Sequence, residues 1–219
     1  MVEPADMTLD ELRLALAPRV PVHAAFDGWS DAALAMAAGE LGVPADRARL
    51  AFPGGAADMV DGWFDAIDVA MARAFPPERI AALKIRERIR ELILFRLAEV
   101  QSNKEALRRA LAILALPQNT ALAARLAWRT VDRVWRLAGD RATDFNHYSK
   151  RAILLGVYGS VTLVFLSDED AGMAETRAFL DRRLADVMRI EKWKAEWRGS
   201  RAHLPSITRF LGRLRYPAV

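Results

Sequence analysis

Apolar residues recur at helical spacing along most of the chain, and no stretch keeps the period-two alternation of a half-buried strand. Thr8 with Glu11 reads as a capping box opening a helix over 8–17, which Pro18 and Pro21 stop. Ser30 N-caps a second helix, 30–41. Gly42 ends it, and Pro44 starts a short third helix over about 44–51. Pro53-Gly54-Gly55 breaks the chain before a fourth helix over about 56–74, which ends before Pro76-Pro77. Residues 77–101 and 103–115 form two more, divided near Ser102-Asn103. Pro117 then begins a long helix to about Ala138, closed by Gly139. Helices over about 146–166, 168–198 and 204–215 complete a chain expected to be all-α, with about ten helices.

The helix near 146–166 has two unlike halves. Its entrance, Thr143 to Arg151, crowds polar, charged and aromatic groups, whereas residues 152–166 carry no charge. This uncharged run is shorter than the roughly 18–20 residues of a membrane span, so a buried helix is expected. Leu154, Val157, Tyr158, Val161 and Phe165 are its candidate residues for contact with an apolar ligand. Gly156 and Gly159 leave room for either a close-packed neighbouring helix or a ligand cavity, since bundle interiors host apolar ligands.

At the entrance, Asp144 and His147 stand at i, i+3 and would share a helix face. A di-iron site needs glutamates and two Glu-x-x-His motifs, and the chain has no Glu-x-x-His. Asp144, His147 and Ser149 are neighbours in sequence, whereas triads assemble from distant segments, and a serine two residues after a histidine points to another face. No catalytic residue, metal or cofactor is therefore expected. Aromatic and arginine side chains clustered at a helix entrance instead resemble anchors of a protein interface.

With 219 residues the chain is long enough for one large domain or two small ones. It has no cysteine, which excludes disulfides, thiolate metal sites and a cysteine nucleophile. The net charge of +4 is unevenly placed. Trp197 to Val219 holds five arginines and no acid, leaving 27 basic and 28 acidic residues elsewhere. The obvious partner for such a tail is an anionic membrane or a nucleic acid.

Residues 26–64 resemble the helix-turn-helix of TetR transcriptional regulators, through Gly28-Trp29, the Ala-rich helix 30–41, Gly42-Val43 and Phe52-Pro53. In that family the third helix enters the major groove, with a tyrosine three residues before the phenylalanine and a lysine three residues after it. Here those positions hold Arg49 and Gly55, and Pro44 replaces the usual Ser or Thr. Residues 20–60 hold two basic and five acidic groups. Phosphate neutralisation drives DNA binding, so nucleic acid is a poor partner, and a TetR-type ligand-responsive repressor ranks second among the functions.

More specific pieces follow: Phe26-Asp27-Gly28-Trp29, Leu116-Pro117-Gln118-Asn119, Trp135-x-x-Ala138-Gly139-Asp140, and Thr143-Asp144-Phe145-Asn146-x-Tyr148-x-x-Arg151-Ala152-x-Leu154. Phe165-Leu166-x-Asp168 and Phe179-Leu180-x-x-Arg183-Leu184 continue the series. On these, residues 8–195 resemble the coenzyme Q biosynthesis protein nine family. The resemblance implies a TetR-like bundle in three parts: a helix-turn-helix-like region at 8–75, a helical lipid- and partner-binding region at 77–198, and an amphipathic membrane helix at 203–216. It implies a non-enzymatic accessory protein of ubiquinone biosynthesis. Such a protein binds isoprenoid quinone intermediates or phospholipid and presents the intermediate to the di-iron demethoxyubiquinone hydroxylase. Carried over, the docking residues are Trp135, Asp144, Phe145, Asn146, Tyr148 and Arg151. Eukaryotic members usually carry tryptophan where this chain has His147. By analogy with TetR relatives, a homodimer would form through the last two large helices. The acidic, non-basic residues 1–11 suit a bacterial member, expected in the cytoplasm on the inner face of the cytoplasmic membrane.

In the tail, Leu204, Ile207, Leu211 and Leu214 fall on one helical stripe beside Phe210, flanked by Arg209, Arg213 and Arg215. An apolar stripe with a wholly basic remainder is the pattern of an interfacial membrane helix; packing on the protein's own body or a dimer mate would not need every charge to be positive. Deleting 203–219 is therefore expected to weaken sedimentation with anionic liposomes. Unchanged pelleting would remove the membrane reading.

Overall fold

The first helices are set by their ends. In the computed structural model, which describes residues 6–141 and 145–201, Thr8 caps α1 (Leu9–Leu16). Its hydroxyl accepts from the Glu11 N–H at 3.3 Å while Glu11 accepts from the Thr8 N–H at 2.8 Å. The expected loop at 18–29 is a helix, α2 (Val20–Asp27): Pro21 occupies its first turn, where the missing N–H costs nothing. Ser30 caps α3 (Asp31–Glu40), and a turn through Gly42, at φ 67°, leads to α4 (Ala45–Ala51). Together α3 and α4 make the helix-turn-helix.

The rest of the described chain is helical too. It comprises α5 (Gly55–Ala74), α6 (Pro77–Ala81), α7 (Ile85–Val100), α8 (Lys104–Leu114), α9 (Thr120–Leu137), α10 (Phe145–Ser167) and α11 (Ala174–Arg201). The single helix expected over 77–101 is thus two, and α11 begins at Ala174 rather than at 168. No strand occurs among the described residues.

The chain divides into two compact units after Leu180. In the first, Trp29 binds the amino-terminal helices to the bundle. It is buried, its indole N–H donates to the Ala106 carbonyl of α8 at 3.0 Å, and its ring lies 5.3 Å from that of Trp63 on α5. Helix α5 packs against α7, α8 and α9, and α10 packs against α7 and α9. Beyond Leu180, the described part of the second unit is the continuation of α11, where Asp186 pairs with Arg183 at 2.7 Å and with Arg189. The expected amphipathic helix at 203–216 lies outside the described residues.

The turn from α10 to α11 is organised by one buried carboxylate. Asp168 accepts from the Thr176 hydroxyl at 2.7 Å, the Thr176 N–H at 2.8 Å and the Asp170 N–H at 3.1 Å. The Thr176 bonds, hydroxyl first, hold its pKa below the ordinary 3.8, against the opposing effect of burial. A depressed carboxylate contributes stability above its unfolded pKa, and that stability is lost as pH falls through the depressed value. Thermal stability is expected to fall across that acidic window, and Asp168→Asn should lower stability at neutral pH while flattening this acid component. Melting curves taken across the acid range read both effects.

Candidate functional site

Helix α10 does not behave as an all-round buried stem. Leu154, Val157, Val161 and Phe165 form one buried stripe, while Leu163 is 68% exposed and Gly159 is exposed. His147–Ser167 is also long and apolar enough to cross a membrane by length and composition, contrary to the expectation from its uncharged run alone; a third of that window is buried.

Between this helix and α5, α7, α8 and α9 lies a cavity of about 500 Å³, within the usual range for ligand sites. Leu107, Leu111 and Leu114 of α8 and Leu126 of α9 give it an apolar wall. From α10 it takes Leu155, Tyr158, Gly159, Thr162 and Leu163. Of the five residues expected to contact lipid, only Tyr158 lines it. Leu154, Val157, Val161 and Phe165 lie on the core-facing stripe instead, because a helix that is apolar all round gives no sequence signal of which side faces a void. A Cβ built on Gly159 or Gly156 would meet nothing within 4 Å, so these glycines border open space rather than a close-packed helix.

One end of the cavity is polar. Arg96 of α7, 3% exposed, pairs with Asp68 of α5, donates to the Thr130 hydroxyl of α9 at 3.3 Å and reaches the Tyr158 hydroxyl of α10 at 3.4 Å. Burial works against its charge, but the Tyr158 hydroxyl and the Asp68 carboxylate outweigh it and raise its pKa further. Asp68 also has Arg129 nearby, 3.7 Å from its second oxygen, and Arg129 pairs with Asp61 at 2.7 Å. Of this cluster only Tyr158 was singled out from sequence. Its signal is a lone Arg96 in phase with Ile89, Leu92, Ile93, Leu97 and Val100 on the buried face of α7.

The entrance of α10 separates into fasteners and an exposed patch. Arg151, expected at a docking surface, is 1% exposed and is not available to a partner. Its guanidinium donates to Asp132 at 2.7 Å, to Asp140 at 3.1 Å and to the His147 carbonyl at 3.1 Å, which clamps the end of α9 to the start of α10. The indole N–H of Trp135 is likewise engaged internally, with the Lys150 carbonyl at 3.1 Å, and Lys150 pairs with Asp140 at 2.8 Å. Tyr148 is 61% exposed and stacks on Trp128 of α9 with centroids 6.1 Å apart; the His147 ring meets it edge-on at 5.1 Å. Trp128 was missed from sequence, although its i, i+7 spacing from Trp135 puts both on one face of α9. Asp144 lies outside the described residues, and Phe145 and Asn146 are described in backbone only.

The helix-turn-helix presents engaged arginines. Arg49 pairs with Asp46 at 2.7 Å and Asp31 at 3.1 Å, and Arg47 donates to the Met7 carbonyl at 2.5 Å.

Residues 120–191 match the COQ9 family model. Among curated proteins, the ubiquinone biosynthesis protein COQ9, mitochondrial, of Rattus norvegicus is 44% identical over 82 residues, covering 37% of this chain and 26% of the rat protein. Its Homo sapiens counterpart is 30% identical over 178 residues, covering 78% of this chain and 54% of the human protein. The chain thus spans about half or less of the length of these relatives. The crystal structure of a TetR transcriptional regulator from Nitrosomonas europaea matches with a TM-score of 0.65 and 26% identity, covering 80% of this chain and 97% of that one. The relatives are mitochondrial proteins, which overturns the expected place on a bacterial cytoplasmic membrane. That expectation rested on residues 1–11.

The clamp and the patch should separate in mutagenesis. Asp140→Ala is expected to cost about 3 kcal/mol, as breaking a buried ion pair does. Tyr148→Ala should cost about 1 kcal/mol or less, since it loses one half-exposed ring contact. Urea unfolding curves of the two variants give the comparison.

Proposed function

We propose that this chain, a member of the COQ9 family through residues 120–191, is a non-enzymatic accessory protein of ubiquinone biosynthesis. It holds an isoprenoid quinone intermediate and presents it to the di-iron demethoxyubiquinone hydroxylase, which supplies the chemistry. The observation that carries this reading is the apolar cavity of about 500 Å³, walled on two sides by α9 and α10, two of the helices within the family match. The Tyr148–Trp128 patch is the docking surface in this reading: exposed, aromatic and held on a rigid clamp, as interface anchors are. The basic stripe at 204–215 keeps the protein on an anionic membrane, where its ligand resides.

The TetR likeness also fits a ligand-responsive repressor. Against it stand the acidic balance of residues 20–60 and the engagement of Arg47 and Arg49 with neighbouring groups, which leaves little for phosphates. Salt-sensitive, nanomolar binding to a palindromic duplex would favour the repressor.

Organic extraction of the purified protein followed by mass spectrometry is expected to recover an isoprenoid quinone-type lipid. Gly159→Leu should reduce that lipid severalfold without destabilising the fold, because the new side chain enters open space and leucine is a better helix former than glycine by about 1 kcal/mol. Full lipid occupancy in Gly159→Leu would mean the cavity is not the binding site. Tyr148→Ala should abolish co-purification of the hydroxylase while the lipid stays bound; retained co-purification would move the interface elsewhere.

A further inference from the structure

A cavity that needs only to shelter an isoprenoid tail would be best closed by apolar side chains. This one ends in a guanidinium. Replacing a buried ion pair with apolar residues is often neutral or stabilising, so stability alone gives little reason to keep Arg96 and Asp68 beside the void. The directions of the hydrogen bonds give a better one. A guanidinium has five N–H donors. Among the described residues Arg96 directs one to Asp68, one to Thr130 and one to Tyr158. The Thr130 and Tyr158 hydroxyls accept these bonds, so their own protons are left to donate elsewhere. Arg96, Thr130 and Tyr158 all line the cavity, whereas Asp68, which accepts, stands behind Arg96 and does not.

The inner end of the cavity is thus rich in donors. The charge that lines the cavity, that of Arg96, is also met by a carboxylate, Asp68. Donors without surplus positive charge suit an uncharged head bearing acceptor oxygens, and they offer little to a carboxylate or phosphate. The burial gradient sets the orientation. Arg96 and Thr130 are buried, whereas Gly159 and Leu163 of the same lining are exposed.

We propose that Arg96, Tyr158 and Thr130 form a head-group site that selects an uncharged, oxygen-bearing ring of the quinone or methoxyphenol class. The ring enters first, and its apolar tail leaves past Gly159 and Leu163. This deepens the lipid-carrier reading and rests on it.

Calorimetric titration of the full chain with three probes separates the two levels: a ubiquinone with two isoprene units, the ring-less hydrocarbon farnesene, and oleate. The wild type is expected to bind both the quinone and farnesene, the quinone at least tenfold more tightly, and oleate more weakly than the quinone. Tyr158→Phe and Thr130→Val, both nearly isosteric, should each weaken the quinone about tenfold and leave farnesene unchanged. Arg96→Lys should weaken it further, and Tyr158→Phe decides the matter if Arg96→Lys does not fold. Equal losses for quinone and farnesene, no loss for either, or oleate binding as tightly as the quinone would overturn the head-group site. A wild type that binds neither apolar probe would overturn the lipid-carrier reading beneath it.

Discussion

The buried pair between Arg96 and Asp68 brings four helices to one point. Asp68 comes from α5 and Arg96 from α7; Thr130 of α9 and Tyr158 of α10 also accept from the guanidinium. Taking each charge out of water costs several kcal/mol, and that cost is offset only while the partners stay in place. The pair therefore fixes distances among α5, α7, α9 and α10 that a purely apolar contact would let relax. An all-leucine interface can slide together and close a void. A hydrogen-bonded ion pair at the base of the cavity resists such collapse.

A second ion cluster does similar work near the start of α10. Arg151 holds Asp132 and Asp140 together near the α9–α10 connection, and Lys150 adds to Asp140. These charges are internal fasteners although they stand in a segment whose sequence looks like a surface motif. The consequence is a division of labour within Trp135 to Arg151. Trp135, Lys150 and Arg151 fix the backbone, and the aromatic pair of Trp128 and Tyr148 remains available above them.

Much of the fold was legible because its signals are local. The Thr8–Glu11 capping box, Ser30 as an N-cap and the stops at Gly42 and Gly139 each act within a few residues. Helix α2 was hidden because Pro21 reads as a breaker unless it falls in a first turn. The site was less legible, for a physical reason. Which side of α10 faces a void depends on helices distant in sequence, so Leu154, Val157, Val161 and Phe165 are apolar residues on the core face of the helix and not on its cavity face. Arg151 was placed on a docking surface by the family resemblance; its two carboxylate partners, 11 and 19 residues earlier, become visible only when α9 and α10 are placed side by side.

The geometry of α10 also ties the cavity to the aromatic patch. Tyr148 and Gly159 are 11 residues apart, about 16 Å along the axis and three turns plus about 20°, so they lie on nearly the same face. Ala152, Gly156 and Leu163 fall within about 80° of Tyr148 on that face, and all are exposed. One continuous stripe thus runs from the patch to the mouth of the cavity. A protein that docks on Tyr148 and extends along α10 would cover the mouth and exclude water from it. A tail leaving past Gly159 and Leu163 would then meet the partner's surface rather than solvent, so its apolar area need not be hydrated during transfer. Two features that sequence would treat separately, an aromatic head and a glycine-marked stem, thereby lie on one face of α10.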